Sequence, residues 1–510
     1  MSRRRRWAHG RLAPARGVAV LLGLALSGAT PGHAQSWRMR LDARAQMASF
    51  RGVDLDSLHS SAVVTGPTGG PVTPDGQIVR CPPTTTYCYF FRPGEPRRGG
   101  PATTTADLSM WGFGLRGLRV KVNGRLGVDL GSADVWPGTS PALQLTEGYA
   151  EYATDAVTGR AGRQLLAGRL GWNGFDGVRL MGRLPRHGLD AEVYGGLGLG
   201  QATSLPVTSP ALDPLDDYQP LSRQILFGAA AGWRSRTADV RVEYQREVDR
   251  DTRHFWSERL ALSGATRFTS RLMVSAGTEY DLSNSWFGTS EVDLRWTEPR
   301  WSLTAGARHY RPYFPLWTIW GAFSPVPYRA LNGRLQVSPV RALGITLSTE
   351  YFRFLEAETE TPLVQVRQDG WRSEASATYA VNQHLRLGAG YRLEYGPGAS
   401  VDGFEASATW EPRDGIALRA YGATLTRPLE FRLNQSELVA LGLDASWQVE
   451  PRLRVAVGAA HYDENRDRPD AGAIEWQQLR LNARVTWQLA SDPGVTRLPP
   501  AIRGRPEAVR

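Results

Sequence analysis

Trp37-Arg38-Met39-Arg40-Leu41-Asp42-Ala43-Arg44-Ala45-Gln46-Met47 alternates between apolar and polar residues without a break. Period two over this length puts one face of the chain in lipid or core and the other in water. On a helix the same arginines would scatter around the circumference. A tilted barrel strand needs about this many residues to cross a bilayer.

The pattern recurs outward from this stretch. Near the far end, Leu479, Leu481, Ala483, Val485, Trp487 and Leu489 alternate with Arg480, Asn482, Arg484, Thr486 and Gln488. Between the two, Val240, Val242 and Tyr244 alternate with Arg241, Glu243 and Gln245, and Leu385 to Leu393 with Arg386 to Glu394. Leu453, Val455, Val457 and Ala459 follow the same rule around Arg454. The reading is all-β: a transmembrane antiparallel β-barrel of about 22 strands, within a range of about 18–22, with no separate plug domain. Residues 106–130 read as one long strand or two short ones. A soluble all-β fold such as a propeller would put these charges on its outside, not on one face of strand after strand.

Connections sort by length. Short turns are expected at 235–237, 269–270, 298–300, 339–342, 382–383, 413–415 and 450–451, and longer connections at 52–105, 201–221, 315–327 and 355–366. Short periplasmic turns opposite longer outer loops are a barrel habit. Three short turns share wording: Trp296 before Pro299-Arg300, Trp410 before Pro412-Arg413, and Trp447 before Pro451-Arg452. Proline presets the turn, and the Trp then sits at the height of an interfacial aromatic girdle, with Trp233, Trp301 and Trp487.

The N-terminus reads as a secretory signal over residues 1–34. Arg3 to Arg6 form a basic start, Val18 to Leu26 an apolar core, and Thr30-Pro31-Gly32-His33-Ala34 a cleavage site after Ala34. The barrel is assigned to residues 35–489, and 490–510 to a disordered periplasmic tail. A plugged, energy-coupled transporter would need a folded domain before Trp37. Of 60 basic residues, six fall in residues 1–34, which hold no acid; the remaining 54 face 50 acidic ones. That balance is not a nucleic-acid footprint. The mean hydropathy of −0.34 suits strands that average a lipid face and a wet face. Cys81 and Cys88, close together in a Pro/Thr-rich segment of an exported chain, are expected to form a disulfide and no metal site.

Alternation assigns the inner wall. Arg38, Arg40, Arg44, Arg241, Arg295, Arg308, Arg372, Arg386, Arg392, Arg419, Arg454, Arg480 and Arg484 face inward. So do Asp42, Asp239, Glu243, Glu291, Asp293, Glu350, Glu374, Glu394, Glu405 and Asp444. Such side chains tune ion selectivity or pair across strands to stiffen the wall. The arginine excess points to a weak anion preference. The segment 52–105 caps the barrel or folds in to narrow it.

Gly162-Arg163-Gln164 followed by Phe175-Asp176-Gly177-Val178-Arg179 resembles a Gly-Arg-Gln … Phe-Asp-Gly-x-Arg stretch of alginate-export proteins and related outer-membrane porins. The resemblance covers about 20 residues. It implies a single barrel with basic residues along its lumen, and places Arg163, Arg169, Asp176 and Arg179 in the wall or at a constriction. The residues by themselves also allow a tight hairpin turning at Asn173-Gly174, with Arg163 paired to an acid across strands.

Enzyme signatures are absent, and the His residues are dispersed. The expected activity is passive or weakly selective passage of small hydrophilic solutes, anionic ones included. The alternatives are export of an anionic polysaccharide and a surface adhesion barrel acting through its outer loops. No cofactor and no nucleic acid are expected. The partners are outer-membrane lipid, the transported solutes and the barrel-assembly machinery.

Overall fold

The computed structural model describes residues 36–66, 69–82, 86–131, 142–200, 223–250, 255–313, 327–355, 369–396, 399–428, 435–466 and 476–491. The signal segment 1–34, nearly all of the tail and most of the longer connections beyond 200 lie outside these residues.

Each strand pairs with the next in antiparallel fashion, from Pro101–Trp111 through to Trp476–Ala490. The first strand, Ser36–His59, closes the ring. Its first half pairs with Trp476–Ala490 on one edge (Arg38↔Ala490, Ala48↔Arg480) and with Pro101–Trp111 on the other (Ser36↔Trp111). The described residues thus form a ring of 22 antiparallel strands, in which backbone groups bond from strand to strand. Trp37 N donates to Ser491 Oγ at 3.0 Å beside the seam, and the last strand reaches Ala490, one residue past the expected boundary. Residues 106–130 form two strands, Pro101–Trp111 and Leu118–Asp129.

The expected loop 52–105 is largely strand. The outer half of Ser36–His59 pairs with Tyr87–Gly99 (Leu55↔Phe91, His59↔Tyr87), which runs on through Gly100 into Pro101–Trp111. The next wall strand ends at Asp129, opposite Pro101, so the Tyr87–Gly99 ribbon continues past the wall. Pro93 and Pro96 are tolerated because a strand edge without a neighbour has no ladder bond to lose. The far end is tied by the Cys81–Cys88 disulfide.

The two faces differ as the alternation requires. Outward Leu331, Leu441, Leu443 and Val457 are each more than half exposed, as is Met47. An apolar belt of that extent belongs in lipid. Trp233, Trp296, Trp301, Trp410, Trp447 and Trp487 lie on the same outer face beside the short turns.

Candidate functional site

One hairpin does not stay in the wall. Val157–Gly168 pairs with Leu143–Ala153 only as far as Arg163, opposite Gly148. Beyond that point it keeps only its hairpin partner, Gly171–Leu184, with Gly162 opposite Gly177. The turn is Arg169-Leu170, not Asn173-Gly174, which lie inside the second strand.

The departure point is built from the quoted motif. Gly162 has φ +126°, and a Cβ there would strike Gly148 O and come within 2.8 Å of Tyr149 Cα. Only glycine supplies that backbone at that spacing. Arg163 holds Asp176 across the pair through two parallel bonds, Nε at 2.7 Å and Nη2 at 2.9 Å. Arg223 donates to the same carboxylate at 2.8 Å and to Gly198 O and Leu197 O. The two cations beside Asp176 hold the hairpin base to its neighbour. Gln164, 1 % exposed, donates to Gly177 O at 3.2 Å.

Past the hinge the hairpin folds over the inner face of its neighbours. Leu166 and the fully buried Phe175 pack against Tyr194 and Leu226, which point into the lumen from the next two strands. Asn173 Nδ2 donates to Gln245 Oε1 at 2.8 Å, and Gln245 in turn to Glu247 at 2.8 Å. Gln245 stands level with Arg179, through the register Arg179↔Tyr194↔Gly228↔Gln245. Asn173 has therefore been carried inward and three strands sideways. The opposite face of the hairpin carries Leu165 and the 75 % exposed Trp172.

The tip lies at mid-height. Arg169 N donates to Glu243 Oε2 at 3.0 Å, and its guanidinium reaches Glu291 Oε1 at 2.9 Å and Thr289 O at 3.2 Å. Glu243 is the central residue of its strand, Ala238–Val248. A lumen-facing Gly277 makes room, because a Cβ there would overlap the Arg169 guanidinium. The hairpin is thus an internal shelf anchored at its hinge, along its underside and at its tip.

Elsewhere the inward charges pair both across strands and along one strand. Arg179 meets Glu192 at 2.9 Å, and Arg241 meets Glu243 at 2.9 Å with Asp190 and Glu192 close by. Arg308 and Arg372 share Glu350, and Arg372 also holds Glu394 at 2.8 Å. On the far side of the ring, four arginines gather around one acid. Asp42 accepts from Arg44 at 2.7 Å and Arg484 at 2.5 Å, with Arg40 at 3.8 Å. Arg454, on the adjoining strand, donates to Gln448 at 3.0 Å and feels Arg484 and Arg40. Arg480 stacks on Tyr462, its guanidinium 4.7 Å from the ring centre. By register Arg38, Arg386 and Arg392 also face inward, and none makes an ion pair with a described residue.

The sequence-derived wall residues therefore divide. Arg40, Arg44, Arg454 and Arg484 come together. Arg179, Arg241 and Arg308 are tied into wall pairs. Arg163 and Asp176 build the hinge, and Arg169 alone reaches the shelf tip. Among the described residues, no group of three or more His, Cys, Asp or Glu could hold a metal. The hinge role of Gly162 and Gly177 and the underside role of Gln164 and Asn173 were not legible as such. The one local signal was a two-residue turn on the long-loop side, flanked by glycines.

An apolar belt outside, paired charges inside and a closed ring settle the class. The chain is an outer-membrane-type β-barrel. No family model and no curated protein matches it. Among solved structures, it is similar to Acinetobacter baumannii OccAB2 at 10% identity, over 89% of this chain and 98% of that one, with a TM-score of 0.38. The outer membrane protein OprD from Pseudomonas aeruginosa matches at 9% identity, 89% and 93% coverage and a TM-score of 0.37. The siderophore receptor PirA from the same organism gives 10% identity, 88% and 80% coverage and 0.45. At these values the functions of those proteins stay their own.

The hinge geometry makes a direct prediction. Gly162→Val forces a β-branched residue into a positive φ and onto the neighbouring backbone, at a cost of about 3 kcal/mol or more. The denaturant midpoint of the barrel refolded in lipid vesicles should fall accordingly, and Gly182→Val, where a Cβ meets nothing, should leave it unchanged.

Proposed function

We propose that the barrel is a channel for small hydrophilic solutes, narrowed at mid-height by the shelf 162–177 and favouring anions. A ring of 22 strands tilted by about 40° has a backbone diameter of roughly 40 Å, which side chains alone do not fill. The observation that carries the reading is the inward shelf ending in Arg169, set in a wall of ionised side chains. Ion pairs in such numbers are costly in a dry core and ordinary beside water.

The anion preference rests on Arg40, Arg44 and Arg484 sharing the carboxylate of Asp42, with Arg454 close enough to feel Arg40 and Arg484. An excess of arginine over carboxylate on one side of the passage sets a local positive potential. An alginate-type polyanion is not required by the motif that resembles the export proteins. Gly162, Arg163, Asp176 and Gly177 are each accounted for by the hinge.

Purified protein in planar bilayers should give discrete conductance steps, with a reversal potential of anion sign in a salt gradient. Folded barrel that yields neither steps nor solute-dependent swelling of liposomes would rule the channel out.

A further inference from the structure

The outer face holds a second feature. Small residues cluster there: Gly264, Ala276 and Ala307 floor a groove of about 940 Å³ walled by Leu262 and Leu331. At the long-loop end the groove is lined by His309, Arg329 and Arg353. These three are direct register partners on neighbouring strands (His309↔Arg329, Arg329↔Arg353). Both arginines are exposed, and neither makes an ion pair with a described residue. The acid of the row is Asp369, register partner of Arg353, which accepts from Tyr351 Oη at 3.5 Å.

This row breaks the rule kept inside. In the lumen, Arg308 and Arg372 meet at a shared carboxylate. On the lipid face, like charges stand directly opposite each other, which is unfavourable across strands and costly in an apolar surround. Around the same rim the outward residues are aromatic: Tyr280 against Phe287, and Tyr351 against Trp371. A bridging anion removes the repulsion, and a phosphate offers oxygens to both guanidinium groups at once. The groove below gives no hydrophobic gain over bulk lipid, which is equally apolar. It offers packing for acyl chains, so selection has to come from the headgroup.

We propose that this groove binds one phosphorylated, multi-acyl lipid of the outer leaflet, its phosphate bridging Arg329 and Arg353 and its chains lying over Gly264, Ala276 and Ala307. The site is independent of conduction, so its failure would leave the channel reading standing.

The test is native mass spectrometry of delipidated barrel in detergent, titrated with diphosphoryl lipid A, with the same lipid after phosphate removal, and with inorganic phosphate. One diphosphoryl molecule should bind per barrel, and the dephosphorylated lipid roughly tenfold or more weakly, as loss of a charge-assisted contact implies. Arg329→Gln/Arg353→Gln should lose that preference, and Ala307→Phe should weaken both lipids by filling the floor. Equal binding of the two lipids by the unaltered barrel would sink the proposal. So would displacement of bound lipid by inorganic phosphate, which marks a free-anion site. The unaltered barrel supplies the decisive comparison even where a variant fails to fold, as read from its heat-dependent gel mobility.

Discussion

Arg169→Glu is expected to lift the tip of the shelf and raise single-channel conductance, with frequent transitions between a low and a high level. The tip is held by two polar attachments, the Arg169 guanidinium on Glu291 and Thr289 O and the Arg169 amide on Glu243. Glu279 lies within electrostatic reach of the same guanidinium. A glutamate there adds a fourth carboxylate to Glu243, Glu279 and Glu291 in place of their common cation. Glu291 is 44 % exposed, so solvent screens part of the loss. About 2 kcal/mol remains, enough to move the balance between docked and lifted tip by roughly thirtyfold. The base stays put, because Phe175, Leu166, Tyr194 and Leu226 still pack together and the Arg163–Asp176–Arg223 cluster is untouched. The denaturant midpoint should therefore move little. The swap Arg169→Glu/Glu291→Arg should restore the low level. A conductance trace unchanged by Arg169→Glu would mean that solutes do not pass the tip.

The wall was legible in the sequence because lipid and water impose opposite demands on alternate residues. Leu479 to Leu489 has a single consistent reading, as does Trp37 to Met47. The shelf was not, and the reason is physical. Residues 163–176 run Arg-Gln-Leu-Leu-Ala-Gly-Arg-Leu-Gly-Trp-Asn-Gly-Phe-Asp with no clean period of two, so the pattern assigns neither a face nor the neighbours the strand keeps. What bends it is a lost pairing with Leu143–Ala153 and a positive φ at Gly162, neither of which carries a periodic signature. Its underside is part apolar and part polar, Leu166 and Phe175 beside Gln164 and Asn173, because it lies against a wall that is itself mixed. The segment 52–105 misled for a related reason. Pro93, Pro96 and Gly99 read as loop, yet they sit in Tyr87–Gly99, a strand beyond the wall whose ladder is satisfied mainly from one side.

Arg40→Glu/Arg454→Glu is expected to turn the channel from anion-preferring to cation-preferring. These two, not Arg484, are the residues to change. Arg484 reaches Asp42 across the closing seam, where Thr486 also donates to Asp42, so reversing it would place two carboxylates on the pair that closes the ring. Arg40 is 3.8 Å from Asp42 with an exposed side chain, and Arg454 rests on the neutral Gln448. The double change takes the cluster from four arginines and one acid to two arginines and three acids, or from +3 to −1. The anion-to-cation permeability ratio should fall about threefold or more, the effect of about 1 kT of local potential. The signature is its dependence on salt. Near 0.1 M the Debye length is about 10 Å and the field reaches well into the passage, whereas at 1 M it shrinks to about 3 Å and the variant should approach the unaltered channel. A ratio that stays put at low salt, in a barrel whose conductance steps persist, would show that solutes run along a different side of the lumen.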